Sequence, residues 1–220
     1  MVKQNKFEIY IDSIFAFIKN NKNPYLLILK NRNYEIVGFL EAINSRTITD
    51  KKAIKDLKKW REANQIYFPS QFRVTIKGTA SWSKNQLQDK KDRILFFVKD
   101  TNGNRIGHIG LYRFDYVNRT CEIDNVIRGV NLAPGIMTSA LDKLIEWTYF
   151  ELGVKKILLT VFADNKRAIE LYKRCGFKPL KFIPLKKEVS GGTVNWVEIK
   201  KSKKEKPARE YLIMKHQKKS

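Results

Sequence analysis

The run ILLTVF at residues 157–162, set between two helix-like stretches, constrains this chain more than any other feature. An unbroken apolar run of this kind, inside KKILLTVFADN, reads as a strand buried on both faces, not one alternating between core and water. Before it, PGIMTSALDKLIEWTYFELG has the form of a long helix, with Pro134 suited to the first turn and Gly153 to the exit. After it, DNKRAIELYKRCGF opens on a capping residue, carries Ala168, Leu171 and Cys175 as an apolar stripe, and stops at Gly-Phe. Upstream, TCEIDNVIRG reads as a strand with Glu122 and Asp124 on one face and Cys121, Ile123 and Asn125 on the other. RILFFVKDTNGNRIGHIGLYRFD is two apolar runs around Asn102-Gly103, a strong hairpin signal. Antiparallel strands followed by a strand–helix–strand–helix unit make a mixed α/β sheet.

The flanks are less explicit. TITDKKAIKDLKKWREAN predicts a helix capped by Thr49 or Asp50, with Ile54, Leu57 and Trp60 as its stripe. TASWSKNQLQDK predicts a second helix. TVNWVEIKK and REYLIMKH are the expected closing strands, separated by the charged linker SKKEKP. In residues 1–45, YLLILKNRNYEIVGFLEAI suggests two short strands around NRN. The expected organisation is an N-terminal extension or added hairpin over 1–45, then one domain over 46–220 with a basic C-terminal tail. Glu8 and Asp12 interrupt the apolar start and no small-residue cleavage site follows, so no signal peptide is expected. No apolar run approaches the roughly 18 residues needed to span a bilayer.

Cys121 and Cys175 have no paired metal spacing, and His108 and His216 are too few and scattered for a zinc site. A reduced, cytoplasmic setting without a bound metal is expected. The 44 basic and 22 acidic side chains give a formal charge of +22. Such a field attracts anions, whether nucleic acid, acidic membrane or nucleotide cofactor. A chain rich in Lys, Asn and Ile also reaches this excess by composition alone, and both readings stand.

Two places hold candidate chemistry. VIRGVNLAPGIM leaves a strand and enters a helix, and helix N-termini bind phosphates through unpaired N–H groups, to which Arg128 would add a formal charge. The same glycines also suit a plain turn. Asn165 and Tyr172 are seven residues apart on nearly one azimuth, about 10 Å along the axis. With the first loop one strand earlier, both helix starts would face one cleft; alone, Asn165 is only a cap and Tyr172 a core tyrosine.

Over residues 47–215, and most strongly over 121–177, the chain resembles the GNAT superfamily of N-acetyltransferases. VFADNKRAIELYKRCGF is similar to that family's closing motif, in which Asn, Ala, Tyr and a terminal Gly-Phe recur at this spacing. EIDNVIRG…PGIMTSAL resembles the strand, pyrophosphate loop and helix before it. The family's loop runs Arg or Gln, two residues, Gly, one residue, Gly or Ala. After Arg128 this chain has Asn131 at the Gly position and Ala133 at the last, so its loop is lengthened.

The resemblance implies an α/β fold with a mixed, mostly antiparallel central sheet flanked by helices, and acetyl-CoA as co-substrate. It places the pantetheine beside Val126 and Asn165, the pyrophosphate near Arg128, Gly135, Ile136, Met137 and Thr138, and Tyr172 near the sulfur. Acyl transfer to an amine needs a neutral amine and a leaving thiolate. A Tyr hydroxyl can supply the proton, and Glu122 is the candidate base. Asp124 and His108 are further candidates on the acceptor side. Each carboxylate could equally serve as an ion pair in so basic a chain.

Within the family, LYRFDYVNRTCEIDNVI, LIEWTYFELGVKKILLTVFADNKRAIELY and KKWREANQ look most like enzymes that acetylate nucleotide-linked amino sugars. Trp60, Arg61, Asn64, Tyr67 and Phe68 form an aromatic-polar cluster suited to a base and sugar, although Trp60 and Phe68 would also anchor a helix. Acetylation of proteins or polyamines on the same fold is the alternative, with polyamines repelled by the basic charge. A nucleic-acid-binding protein using the fold as scaffold is the third reading; the run KKSKKEKPARE…KHQKKS favours it only weakly. No oligomeric state is legible.

Overall fold

The computed structural model describes residues 5–199 and 206–218. Most of the linker SKKEKP, and the last two residues of the basic tail, lie outside them. The chain opens with a helix the sequence did not announce, α1 (Lys6–Asn20), whose cap Asn5 accepts from the Phe7 amide at 2.8 Å. Phe7, Ile11, Phe15 and Ile18 recur every three or four residues and form its buried face. Strands β1 (Leu26–Lys30) and β2 (Ile36–Ala42) form the hairpin expected around NRN. Helix α2 (Lys51–Ala63) starts where Asp50 accepts from the Lys52 amide, and buries Ile54, Leu57 and Trp60 as its pattern requires.

After the two-residue strand β3 (Ser70–Gln71), α3 (Ile76–Trp82) is capped by Thr75 and widens into a π-helical turn at Ser83–Gln88. Strands β4 (Ile94–Asp100) and β5 (Arg105–Asp115) flank the turn at Gly103, whose φ of 81° is the left-handed geometry such hairpins need. Strand β6 (Thr120–Arg128), helix α4 (Ile136–Phe150), strand β7 (Lys156–Phe162) and helix α5 (Lys166–Arg174) are the expected unit. Three strands close the chain: β8 (Phe177–Ser190), β9 (Thr193–Glu198) and β10 (Arg209–His216). Strand β8 was not expected from sequence, since Pro179 and Pro184 argue against a ladder. It lies between β10 and β9, and the β10 register shifts beside Pro179.

The described strands form one sheet in the order β1-β2-β4-β5-β6-β7-β10-β8-β9-β3. Only the β6–β7 pair is parallel, joined by the α4 crossover, so the sheet is mixed and mostly antiparallel. Alternation along β4 separates two cores. Ile94, Phe96 and Val98 pack with α1, α4 and α5, whereas Leu95 and Phe97 pack with α2 and Trp60. The N-terminal segment shares the first core: Phe15 stacks on Trp147 of α4, and β2 pairs with β4. No helix among the described residues is long and apolar enough to cross a membrane.

Candidate functional site

The parallel ladder between β6 and β7 lasts only from Thr120 to Ile123 on the β6 side. Asn125 then adopts a φ of 51°, and the β5–β6 register slips there. An extra residue of this kind bends its strand, and β6 parts from β7. Polar backbone is thereby left unpaired mid-sheet, a place where an extended ligand can enter. A cavity of about 970 Å³ occupies the gap, walled by α2, the segment from Asn64 to Thr79, β6, and the first turns of α4 and α5.

The expected residues Arg61, Asn64, Phe68, His108, Glu122, Asp124, Val126, Arg128, Gly135, Met137, Thr138, Asn165 and Tyr172 all line this one cavity. Trp60 and Ile136 do not. Trp60 is 2% exposed and sits under the cavity wall against Phe97 and His108, so it anchors α2 and does not grip a ligand. Ile136 is 1% exposed and points into the core beneath α4.

The carboxylates of Glu122 and Asp124 each hold an arginine. Arg113 Nη1 donates to Glu122 at 3.1 Å. Arg93 grips Asp124 through Nε (2.9 Å) and Nη2 (2.7 Å) while its guanidinium lies 4.0 Å from the Tyr112 ring centre. Asp124 also accepts from Asn125 Nδ2 at 2.7 Å, so it is committed to structure. Glu122, with one long bond and a quarter of its side chain exposed, is the freer group.

His108 is buried, and its Nδ1 lies 2.7 Å from the Asn125 carbonyl. A carbonyl only accepts, so Nδ1 carries the proton and Nε2 presents a bare lone pair. Burial lowers the imidazole pKa to about 4, and the bond to Asn125 and the charge of Asp124 only partly offset it. Tyr172 is 7% exposed with its ring against Phe177. Burial, with Asp124 and Cys175 nearby, raises its hydroxyl above the ordinary tyrosine value, so it stays a proton donor.

The loop before α4 is shaped by its own side chains. Arg128 turns back and donates to the carbonyls of Val130 (3.2 Å) and Leu132 (3.0 Å), bracing the lengthened loop. Gly135, at φ 83°, takes the N-cap position and leaves the helix start facing the cavity with no side-chain cap. Asn165 accepts from the Ala168 amide at 3.3 Å, as expected of a cap.

Sequence reasoning missed Arg73, Arg93, Arg113, Arg167, Arg174 and Lys181 on the cavity wall. Arg167 and Arg174 were within reach, on the same helix as Tyr172. The others come from segments whose placement depends on tertiary folding. With Arg61 and Arg128 they face three acidic groups, Glu122, Asp124 and Glu198, so the described wall is strongly cationic.

Residues 43–178 match the acetyltransferase (GNAT) domain. A spermidine N(1)-acetyltransferase of Vibrio cholerae is 29% identical over 91 residues, 41% of this chain and 52% of that enzyme, so the match spans about half the length of this relative. A spermidine N(1)-acetyltransferase of Escherichia coli K12 is 22% identical over 128 residues, 58% of this chain and 67% of the relative. Among solved structures, spermidine N-acetyltransferase from Vibrio cholerae in complex with CoA and spermine superposes with a TM-score of 0.58 at 18% identity, covering 89% of this chain and 95% of that one. At that identity the likeness speaks to the fold. The expected likeness to nucleotide-amino-sugar enzymes has no support among these relatives, which are spermidine enzymes by name.

Proposed function

The chain belongs to the GNAT acetyltransferase family, and from that premise we propose that it moves an acetyl group from acetyl-CoA to the primary amine of a small molecule, by direct attack with both substrates bound. The observation that carries this reading is the parting of β6 from β7 after Ile123, with the starts of α4 and α5 and the Tyr172 ring opening on the same cavity. The cavity suits a long, flexible, anionic co-substrate. It is large, it exposes unpaired strand edge beside Val126, and Arg128, Arg167 and Arg174 line it with the uncapped α4 start.

Acetyl-CoA supplies an activated acyl group on a thiol whose pKa is near that of cysteine, about 8.5, and which therefore leaves readily. The remaining work falls to the chain. The amides of Gly135 and Met137 at the start of α4 would hold the diphosphate, the Thr138 amide being taken by the Gly135 carbonyl at 2.9 Å, and Asn165 would meet the pantetheine arm. Glu122, oriented by Arg113, takes the amine proton directly or through water. Tyr172 donates a proton to the departing sulfur. His108, neutral at ordinary pH, offers Nε2 to an amine N–H and so orients the acceptor. Proton transfer of this sort contributes roughly 10²–10⁴ in rate, with positioning supplying much of the rest.

For the acceptor, the finer reading is an amino group on a nucleotide-linked sugar, supported by the cationic wall and by Arg61, Asn64 and Phe68 at its α2 end. A polyamine is the second reading, supported by the names of the relatives. Free thiol release from acetyl-CoA across a panel of nucleotide amino sugars and polyamines tests both. Calorimetry showing no uptake of acetyl-CoA by folded protein would remove both.

A further inference from the structure

Arg61 is a half-buried cation with no counter-charge among the described residues. Its guanidinium forms part of the cavity wall at the end of α2. Nη2 donates to the Ser70 carbonyl at 2.6 Å. The Phe68 ring centre lies 3.6 Å from Cζ, and the Phe72 ring centre lies 5.1 Å away. Nη1 is buried and meets no hydrogen-bond partner among the described residues. Burial lowers the pKa of this side chain to about 10, with no carboxylate among the described residues offsetting it.

Other half-buried arginines are treated differently: Arg93 has Asp124, Arg105 has Asp50 and Asp56, and Arg209 has Asp164. Desolvating a guanidinium without an anion is expensive, and leaving a buried N–H unpaired adds to the cost. Tying α2 to Ser70 needs only one N–H and explains neither. An anion arriving from the cavity would explain both.

We infer that the acceptor amine is carried on a molecule bearing a phosphate or carboxylate group, and that Arg61 receives this group. The inference rests on the acetyltransferase reading above and narrows its substrate class. Arg73 lines the same stretch of wall and adds to the field. Nη1 has almost no accessible surface, so the anion reaches it by displacing a neighbouring ring. Phe72, 44% exposed, is the looser one. A polyamine has no group to place here and meets Arg61 as a like charge.

The test compares thiol release with glucosamine, glucosamine 1-phosphate, 2-amino-2-deoxyglucuronate and spermidine, on the unaltered chain and on Arg61→Gln and Arg61→Lys. The expected result is a higher kcat/KM for the anionic sugars than for glucosamine or spermidine. In Arg61→Gln that preference shrinks roughly 10- to 100-fold, the worth of one charge-assisted contact, chiefly through KM. Arg61→Lys recovers part of it. The rank of phosphate against carboxylate identifies the group recognised. On the unaltered chain, inorganic phosphate is expected to compete with the amine, a readout that needs no variant. Equal use of charged and neutral sugars, a faster reaction with spermidine, or a preference that survives in Arg61→Gln overturns the inference. If acetyl-CoA does not bind and no amine releases thiol, the acetyltransferase reading itself has failed, which is a different outcome.

Discussion

His108 and Asn125 are joined across strands: the imidazole Nδ1 donates to the Asn125 carbonyl at 2.7 Å, fastening β5 to the left-handed residue where β6 turns from β7. The bond favours the charged ring, since Nδ1 donates in both protonation states, but burial outweighs it and the pKa falls to about 4 from an ordinary 6.5. Above pH 6.5 neither the folded nor the unfolded chain protonates this side chain. Between 6.5 and 4 the unfolded chain gains a proton that the folded chain refuses, so stability is lost as pH falls through that window. The gap corresponds to about 3 kcal/mol. Replacing His108 with Asn keeps a donor and removes the titration. Urea midpoints at pH 7 and pH 4.5 should therefore converge in His108→Asn relative to the unaltered chain.

Gly129 has no room for a side chain. A Cβ there would run into the indole of Trp60, which lies flat beneath the loop leading to α4. Both groups are held, Trp60 by Phe97 and His108, Gly129 by the hydrogen bond its N–H donates to the Ile106 carbonyl at 2.8 Å. Gly129→Ala is expected to destabilise the fold by about 1–3 kcal/mol, the usual cost of overpacking. Adding Trp60→Leu in the same chain should return part of that loss, giving a non-additive pair in denaturant titrations.

The Trp60–Gly129 contact also shows where sequence reading stops. The stripe Ile54, Leu57, Trp60 correctly marked the buried face of α2, because periodicity reports burial directly; the unbroken run ILLTVF marked β7 as a strand, but its burial alternates, with Leu158 and Thr160 half-buried on the cavity side. Periodicity does not distinguish a tryptophan facing a ligand from one facing a glycine loop, so the sequence leaves Trp60 as binding residue and as helix anchor alike. Strand β8 was illegible for a related reason: its residues are mostly exposed and it contains two prolines, so neither alternation nor propensity marks it. Helix α1 had a clear stripe, Phe7, Ile11, Phe15 and Ile18, but charged residues among them masked it. The cavity lining was legible where one short motif carries it, at Asn165 and Tyr172. It was not legible for Arg93 and Arg113, which lie outside that motif and meet Asp124 and Glu122 only in the folded sheet.

Arg93 and Asp124 form the most enclosed ion pair on the cavity wall, with side chains 11% and 23% exposed. Such pairs add little net stability over an apolar substitute, but removing one partner leaves the other uncompensated. Arg93→Met is therefore expected to cost about 3 kcal/mol. Arg93→Met with Asp124→Leu should cost less than the sum of the two single changes. Chemical denaturation of the four chains measures the coupling directly.

Tyr172 separates a donor from a mere core residue. Its ring is packed against Phe177, with centroids 6.1 Å apart, so Tyr172→Phe keeps the packing and deletes only the hydroxyl. The melting temperature should stay within a few degrees, since no described group loses a bond to it. If the hydroxyl protonates the leaving sulfur, kcat for acetyl transfer should fall roughly 10²–10⁴-fold, while calorimetry finds acetyl-CoA bound as before. Because burial holds the hydroxyl above the ordinary tyrosine pKa of 10.0, the unaltered enzyme should show no loss of rate from this group as pH rises to 9. A Tyr172→Phe chain with full kcat would assign the tyrosine to the core and leave the departing thiolate to solvent.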